Sequence, residues 1–384
     1  MTNRLASSAS TYLRAAAHQP IAWYPWSDEA FAAARRDDKP VLLDIGAAWC
    51  HWCHVMDGES YEDPALAEFL NQAFVCVKVD RDERPDVDAR YQRAVQAVSG
   101  QGGWPLTAFL TPDGQVFYGG TYFPPDGKYG RPGFRTVLEQ VRRVYREQRD
   151  QVDQQALAIR RALASLESEA RPGGVTTDTL ATGAQAMVEL FDARNGGFGT
   201  SPKFPHPAAV RFLLARARDT GDTRFGDIAA LTLTRMARGG IHDQLAGGFH
   251  RYSVDDRWIV PHFEKMSYDN AELLRAYVDG ALALDDPALA EVARGIVSFV
   301  REELADPEGG YGASQDADVG LEDDGDYFTW TREEAERALD DPDLLAVAAA
   351  CYDIGTAGEM QHDPARNVLF LAERPDAVAR RLGL

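Results

Sequence analysis

The sequence predicts an α/β domain followed by an all-α domain, and three observations carry that prediction. Short apolar runs bounded by Pro or Gly, VLLDIG (41–46) and FVCVKVD (74–80), alternate with helical stretches in the early part of the chain. After residue 133 such runs give way to helix-period patterns broken by Gly-Gly pairs. At 384 residues and 45% hydrophobic side chains, the chain has enough apolar material for two cores.

The elements follow in order. Ser27 is an N-cap for DEAFAAARRDD, with Asp28 and Glu29 in the first turn, and Pro40 ends that helix. VLLDIG reads as a buried central strand whose one anomaly is Asp44. GAAWCHWCHVM (46–56) follows directly, with HWCHVMDGES as the opening turns of a helix. Asp63 and Pro64 start a second helix with Leu66, Phe69 and Leu70 on one face, and FVCVKVD carries Cys76 on a strand. Residues 86–99 are helical, GQGGW breaks the chain, and PLTAFLT (105–111), PDG and QVFYGG (115–120) form a hairpin. A long helix starts at Gly133. This is the thioredoxin order, with a CxxC pair where a strand delivers the chain into a helix. Asp44, Trp49 and Pro105 stand where thioredoxin-like proteins carry a buried acid, a tryptophan and a cis-proline.

A CxxC at a helix start sets the first sulfur over unpaired backbone N–H groups, which favours the thiolate. Cys50 is therefore the expected nucleophile and Cys53, one turn on, the resolving thiol. His51 within the motif is expected to make the pair more oxidising. A buried Asp44 would have a raised pKa and exchange a proton with Cys53; the alternative is an acid satisfied by backbone N–H groups. Trp49, Trp104 and Pro105 form the expected substrate-binding face, with the Trp104 backbone available to pair with an extended substrate strand. Two rival chemistries share these residues. Cys50-His51-Trp52-Cys53-His54 has the C-x-x-C-H spacing of covalent haem attachment, and Cys50, Cys53 and His54 or His51 supply part of a zinc set. The lack of a leader-like segment argues against haem, and the unpaired positions of Cys76 and Cys351 argue against a closed zinc site. The expected cofactor is therefore none beyond a redox-active disulfide, and Cys76 and Cys351 read as small buried hydrophobes.

With 60 acidic against 40 basic side chains, the net charge of −20 disfavours nucleic acid and membrane surfaces as partners. No run of 18 apolar residues occurs, so a soluble cytoplasmic protein is expected. The expected partner is a protein thiol or disulfide, or a small thiol.

From Gly133 to about Ala170 an amphipathic stretch (Phe134, Val137, Val141, Val144, Val152, Ile159, Leu163, Leu166) reads as a bridge, and ARPGG (170–174) as a linker. The predicted division is 1–130, 131–174 and 175–384. In the last part NGGFGTSPKFP, AGGFHRYSVDD and EGGYGASQDAD place Gly-Gly pairs at 196, 247 and 309, spaced for one α-hairpin per unit. His250, Arg251, Asp255, His262, Glu264, Lys265, Tyr268, Asp269 and Asn270 crowd one loop and helix start; SQDADVGLEDDGDYFTW adds Asp316, Asp318, Glu322 and Asp326. Of these, His250, His262, Glu264, Asp269, Asp316 and Asp318 are the expected cavity residues, able to act as acid and base on a sugar-like ligand or to hold a hard cation. Acidic loops that merely cap helices are the competing reading.

NRLASSASTYLRAAAHQPIAWYPW, CHWCHVM, ERPDVDARYQ, GQGGWPLTAFLTPDG, GGTYFPP, SPKFPHP and HFEKMSYDNAELLRAY together resemble the family of spermatogenesis-associated protein 20 and its bacterial relatives, which carry a thioredoxin-like domain of unknown function, DUF255. The resemblance implies a thioredoxin-like domain joined to an (α/α)6 toroid like those of six-hairpin glycosidases and N-acylglucosamine 2-epimerases. Six hairpins are implied and three begin here, so the sequence is expected to stop within the toroid, whose open flank invites self-association. Relatives commonly carry small hydroxyl residues around the dithiol, so Asp44 and Trp49 are a departure that favours redox competence. Three functions are expected: a thiol-disulfide oxidoreductase or redox sensor, a sugar-processing enzyme with a structural thioredoxin-like domain, or a non-enzymatic binding protein.

Overall fold

A computed structural model describes residues 2–127, 132–168, 173–318, 320, 323 and 325–383. The chain divides into two compact units, Met1–Gly173 and Gly174–Leu384.

The first unit contains α1 (Thr11–Ala15), α2 (Asp28–Asp37), β1 (Val41–Gly46), α3 (His51–Met56), α4 (Pro64–Ala73), β2 (Val75–Asp80), α5 (Pro85–Ser99), β3 (Leu106–Leu110), β4 (Val116–Gly120), α6 (Phe134–Glu147) and α7 (Arg149–Ser168). The sheet order is β2-β1-β3-β4, with β1 parallel to β2 and antiparallel to β3. This is the predicted thioredoxin-like α/β domain. β1 and β2 are buried along their whole length, as expected of strands covered on both faces. Because side chains alternate, Val41, Leu43, Ile45, Val75, Val77 and Val79 enter one core with α2 and α5. Asp44 and Lys78 therefore share the opposite face, and the register sets them directly side by side. The caps also follow the sequence: the Ser27 hydroxyl accepts from the Ala30 N–H and Asp63 Oδ1 from the Leu66 N–H.

The predicted bridge is corrected. Residues 134–168 form two helices that belong to the first unit. α6 buries Phe134, Val137, Leu138, Val141 and Tyr145, and α7 sends Ile159 and Leu163 into the core of α2 and α5. Their apolar stripes are thus the inner faces of packed helices, and the boundary falls after Gly173. Residues 170–172 of the predicted linker lie outside the described residues.

The second unit is the predicted helical array. α8 (Thr177–Leu190), α9 (Pro207–Thr220), α10 (Thr223–Arg238), α11 (Ser267–Leu284) and α12 (Pro287–Phe299) surround a core that includes Leu213, Leu233, Phe249, Trp258, Tyr277 and Ile296. Short links at 221–222 and 285–286 make hairpins of α9 with α10 and of α11 with α12. Each predicted Gly-Gly pair is a left-handed turn, with φ of 71° and 78° at Gly196 and Gly197 and of 72° and 73° at Gly247 and Gly248. A Cβ on Gly248 would stand 2.5 Å from the Phe299 ring, so glycine is also needed for close approach. An aspartate four residues before the first two pairs gathers turn N–H groups: Asp192 from Arg194 and Asn195, Asp243 from Leu245 and Ala246. No helix among the described residues is long and apolar enough to cross a membrane.

Candidate functional site

Cys50 caps α3 and is bonded to Cys53, with Cα atoms 5.2 Å apart. The Cys53 N–H donates to Cys50 Sγ at 3.2 Å. Both cysteines are buried, Cys50 at 4% and Cys53 at 1% exposure. α3 does not continue as a regular helix; Asp57–Tyr61 forms a wider turn in which the Glu62 N–H reaches the Asp57 carbonyl at 3.0 Å.

A charge cluster occupies the disulfide face of the sheet. Lys78 Nζ donates to Asp44 Oδ2 at 2.7 Å and to Asp57 Oδ1 at 2.9 Å, and Lys78 has no exposed surface. The ammonium sits 4.7 Å from the Tyr12 ring centroid, 5.2 Å from Tyr61 and 5.4 Å from Trp23, an aromatic cage that replaces part of its hydration. Tyr12 and Tyr61 hydroxyls approach the two Asp44 oxygens, each at 3.4 Å. The cluster holds one cation and two carboxylates. Burial raises the Asp44 pKa above its ordinary value; the Lys78 charge opposes this and Asp57 adds to it. Burial alone would lower the Lys78 pKa, but Asp44 and Asp57 outweigh it and hold the ammonium charged. Gly46 closes this arrangement towards the disulfide: a Cβ there would lie 2.2 Å from the Tyr12 hydroxyl and 2.7 Å from Cys53 Sγ.

The predicted residues separate on inspection. Cys50 and Cys53 are bonded to each other, and Asp44 lies on the same face of the sheet, ion-paired rather than bonded only to backbone. His51 packs its ring edge-on to Trp52 at 5.5 Å. The Trp104–Pro105 bond is cis. Trp49 is corrected: at 1% exposure, with Nε1 donating to Asp82 at 2.8 Å, its ring packs and presents no face to a substrate. It meets the half-buried Trp104 edge-on at 5.6 Å, Trp104 donates to Asp88 at 2.9 Å, and the Arg81 guanidinium lies over both indoles. The exposed aromatics near the pair are ones the sequence reading passed over. Trp52 is 39% exposed and lies 4.9 Å from the Tyr122 ring, whose hydroxyl donates to Glu59 at 2.6 Å. Lys78, Asp57, Tyr12 and Tyr61 were also missed. The alternation of FVCVKVD places Lys78 opposite the valines, and Asp57 lies four residues after Cys53, so both signals were present.

Of the cavity residues expected in the second unit, His250 lines one cavity. A cavity of about 220 Å³ is lined by His242, Gln244, His250, Phe263, Tyr327 and Phe328 among others; His262, Glu264, Asp269, Asp316 and Asp318 are not in its wall. His250 is buried, its Nδ1 is 2.7 Å from the Phe263 carbonyl, and burial together with the Lys265 charge lowers its pKa to about 3. His242, absent from the sequence reading, is held neutral by burial at about 4. His262 Nδ1 lies 3.7 Å from Glu264 Oε2, Asp269 sits in the first turn of α11, and the Asp318 N–H donates to Asp316 at 3.4 Å. Asp255 accepts from nearby backbone N–H groups, Asn270 brackets the Phe249 backbone 21 residues away, and Asp326 pairs with His362 and Arg366. Glu322 lies outside the described residues. Lys265 is a structural ion-pair partner, donating to Asp243 Oδ2 at 2.6 Å.

Comparison with known proteins places this geometry. The family model described as a protein of unknown function, DUF255 (Thioredox_DsbH), matches residues 2–164. Human spermatogenesis-associated protein 20 is 38% identical over the whole chain and 52% of its own length. The chain belongs to that family. An uncharacterized Caenorhabditis elegans protein is 38% identical over 93% of the chain and 51% of its own length. The chain thus spans about half the length of the curated relatives it matches. Among solved structures, a DsbH oxidoreductase is 19% identical over 33% of this chain and 86% of its own, with a TM-score of 0.26. A sugar epimerase from a ruminal bacterium is 16% identical over 44% of this chain and 50% of its own, with a TM-score of 0.32.

Proposed function

We propose that the first unit is a thiol-disulfide oxidoreductase or redox-sensing module working through the Cys50–Cys53 pair. The observation that carries this reading is the disulfide at the head of α3 with the Asp44–Lys78–Asp57 cluster on the same face of the sheet, where Asp44 and Lys78 are buried and burial raises the Asp44 pKa. A substrate thiolate attacks Cys50 Sγ, the S–S bond breaks, and its electron pair leaves on Cys53 Sγ. A second substrate thiolate then attacks the substrate sulfur of the mixed disulfide and expels Cys50 as thiolate. The substrate is oxidised by two electrons and the pair is reduced by two; running backwards, the same steps reduce a substrate disulfide. The electrons pass through the cysteines themselves, so the reaction needs no further cofactor. The partner is a protein thiol or disulfide, with Trp52 and Tyr122 as apolar contacts beside the motif, or a small thiol. The net charge of −20 favours protein partners over nucleic acid or anionic lipid.

The test is mechanistic trapping. Cys53→Ser should accumulate a mixed disulfide on Cys50 when offered a peptide disulfide, and Cys50→Ser should not. Equal trapping by both variants, or by neither, removes the reading.

A second reading, small-ligand binding by the helical unit, is favoured by the cavity beside His242 and His250, where two neutral imidazoles meet aromatic walls. Sugar processing is one form of it. Chemical-shift changes at the two histidines on adding neutral monosaccharides would support it; unchanged spectra across a sugar panel would not.

A further inference from the structure

The redox reading leaves one feature of the first unit without a use. Tyr12 comes from α1, a short helix before the α/β core, yet its side chain is buried at 3% exposure against the disulfide face of the sheet. Its hydroxyl makes a long bond, 3.4 Å, to Asp44 Oδ2, an oxygen already held by Lys78 at 2.7 Å. The hydroxyl therefore has only a weak partner here. Its other neighbour lies across Gly46, where a single Cβ would collide with both the Tyr12 oxygen at 2.2 Å and Cys53 Sγ at 2.7 Å. The bare glycine leaves these two atoms facing each other with no side chain between them.

We infer that the Tyr12 hydroxyl is the hydrogen-bond donor that receives Cys53 Sγ when the disulfide opens, turning from Asp44 to the leaving thiolate. The inference rests on the redox reading of the Cys50–Cys53 pair and deepens it. When the S–S bond breaks, its electron pair stays on Cys53 Sγ, which becomes an anion in a site already holding two carboxylates and one ammonium. A thiolate left there without a donor carries the desolvation cost of an unpaired buried charge. Tyr12 supplies a neutral donor and adds no charge. Burial and the neighbouring carboxylates Asp44, Asp57 and Asp80 all raise its own pKa, so the phenol keeps its proton while it donates. No proton is transferred in this step. Only the hydrogen bond moves, and the charged groups facing the sulfur side of the cluster, Asp44, Asp57 and Lys78, keep their pairing. Tyr61 is the internal comparison. Its hydroxyl also reaches Asp44, at Oδ1 and 3.4 Å, but the three atoms nearest a Cβ at Gly46 belong to Tyr12 and Cys53.

The experiment uses the full chain carrying Cys50→Ser, in which Cys53 is a free thiol and its ionisation is followed by thiolate absorbance, with Cys50→Ser/Cys53→Ser subtracted. Adding Tyr12→Phe should lower the Cys53 ionisation constant by about tenfold or more, the loss of one hydrogen bond to a charged acceptor. Adding Tyr61→Phe should change it by much less. An unchanged value in Tyr12→Phe overturns the inference, as does an equal shift in the two variants, which would mean that both act through Asp44. Should Tyr12→Phe fail to give a cooperative melting transition, 3-fluorotyrosine at position 12, a stronger donor of nearly the same size, must raise the ionisation constant; no change then overturns it. The redox reading fails by a different result, a wild-type pair that does not equilibrate with glutathione. The Cys53 ionisation remains measurable in that case.

Discussion

Lys78 in the first unit and Lys203 and Lys265 in the second have no exposed surface, and all three hold aspartates at 2.6–2.7 Å. Their surroundings set them apart. Lys203 and Lys265 each meet one carboxylate, Asp192 or Asp243, which also gathers the N–H groups of a Gly-Gly turn. Each is a balanced pair that pins a turn between helical hairpins, and the Asp243 pKa is lowered because the Lys265 charge and turn N–H groups outweigh its burial. Lys78 meets two carboxylates within a cage of Tyr12, Tyr61 and Trp23, and burial, with Asp57 adding to it against the opposing Lys78 charge, raises the Asp44 pKa. The same kind of ion pair thus sits in two settings, with the aspartate pKa lowered where turn N–H groups and the lysine outweigh burial and raised where burial wins.

Removing each lysine tests that difference. Lys78→Met strands the buried Asp44 carboxylate and the partly exposed Asp57 and should cost about 3–5 kcal/mol in chemical denaturation of the disulfide form. It should also shift the redox equilibrium of the pair. Lys265→Met leaves one aspartate that keeps its turn N–H bonds, and should cost about 1–3 kcal/mol with no change in that equilibrium. An unchanged equilibrium in Lys78→Met, or a shifted one in Lys265→Met, would erase the distinction between the clusters.

The two aspartates should also respond to acid with opposite signs. Asp44 has a folded pKa above its ordinary 3.8, so the folded state holds its proton more tightly. The stability difference between wild type and Asp44→Asn should grow as pH falls from neutral through the raised value towards 3.8. Asp243 has a lowered folded pKa, so its contribution is present above about pH 4 and is lost as pH falls through the folded value. The difference between wild type and Asp243→Asn should shrink over that range. Urea denaturation across pH 3–7 reads both slopes, and slopes of equal sign would contradict the assignment.

The smallest expected effect is at the surface. Trp52→Ala should leave stability within about 0.5 kcal/mol. It should slow exchange with a peptide disulfide carrying an aromatic side chain roughly two- to tenfold, the worth of one aromatic contact. Exchange with glutathione disulfide should not change. Equal slowing of both substrates would remove Trp52 as a peptide contact.

Much of this was legible in the sequence, for identifiable reasons. Strand runs, caps and the CxxC position are local signals, and they placed β1, α3 and the hairpin correctly. The Gly-Gly turns were legible because their left-handed backbone favours glycine. The partners of Asp44 were not, because they depend on strand register and on a wide turn after α3: Lys78 is 34 residues away, Tyr12 is 32 away in the other direction, and neither carries a motif. Trp49 was misread because a place directly before a dithiol says nothing about which way its ring turns. In the acidic loops of the second unit Asp255 and Asp316 accept turn N–H groups and Asp326 pairs with His362, partners that the loop sequence alone does not specify.

The most direct test of the central claim is the equilibrium of Cys50 and Cys53 in glutathione buffers, read by alkylation mass spectrometry on the full chain. The account predicts a single reversible two-electron transition between about −270 and −120 mV, the range of known exchange catalysts. A disulfide that stays closed until far more reducing potentials, below about −300 mV as structural disulfides do, would contradict it and leave the buried cluster as a structural clamp.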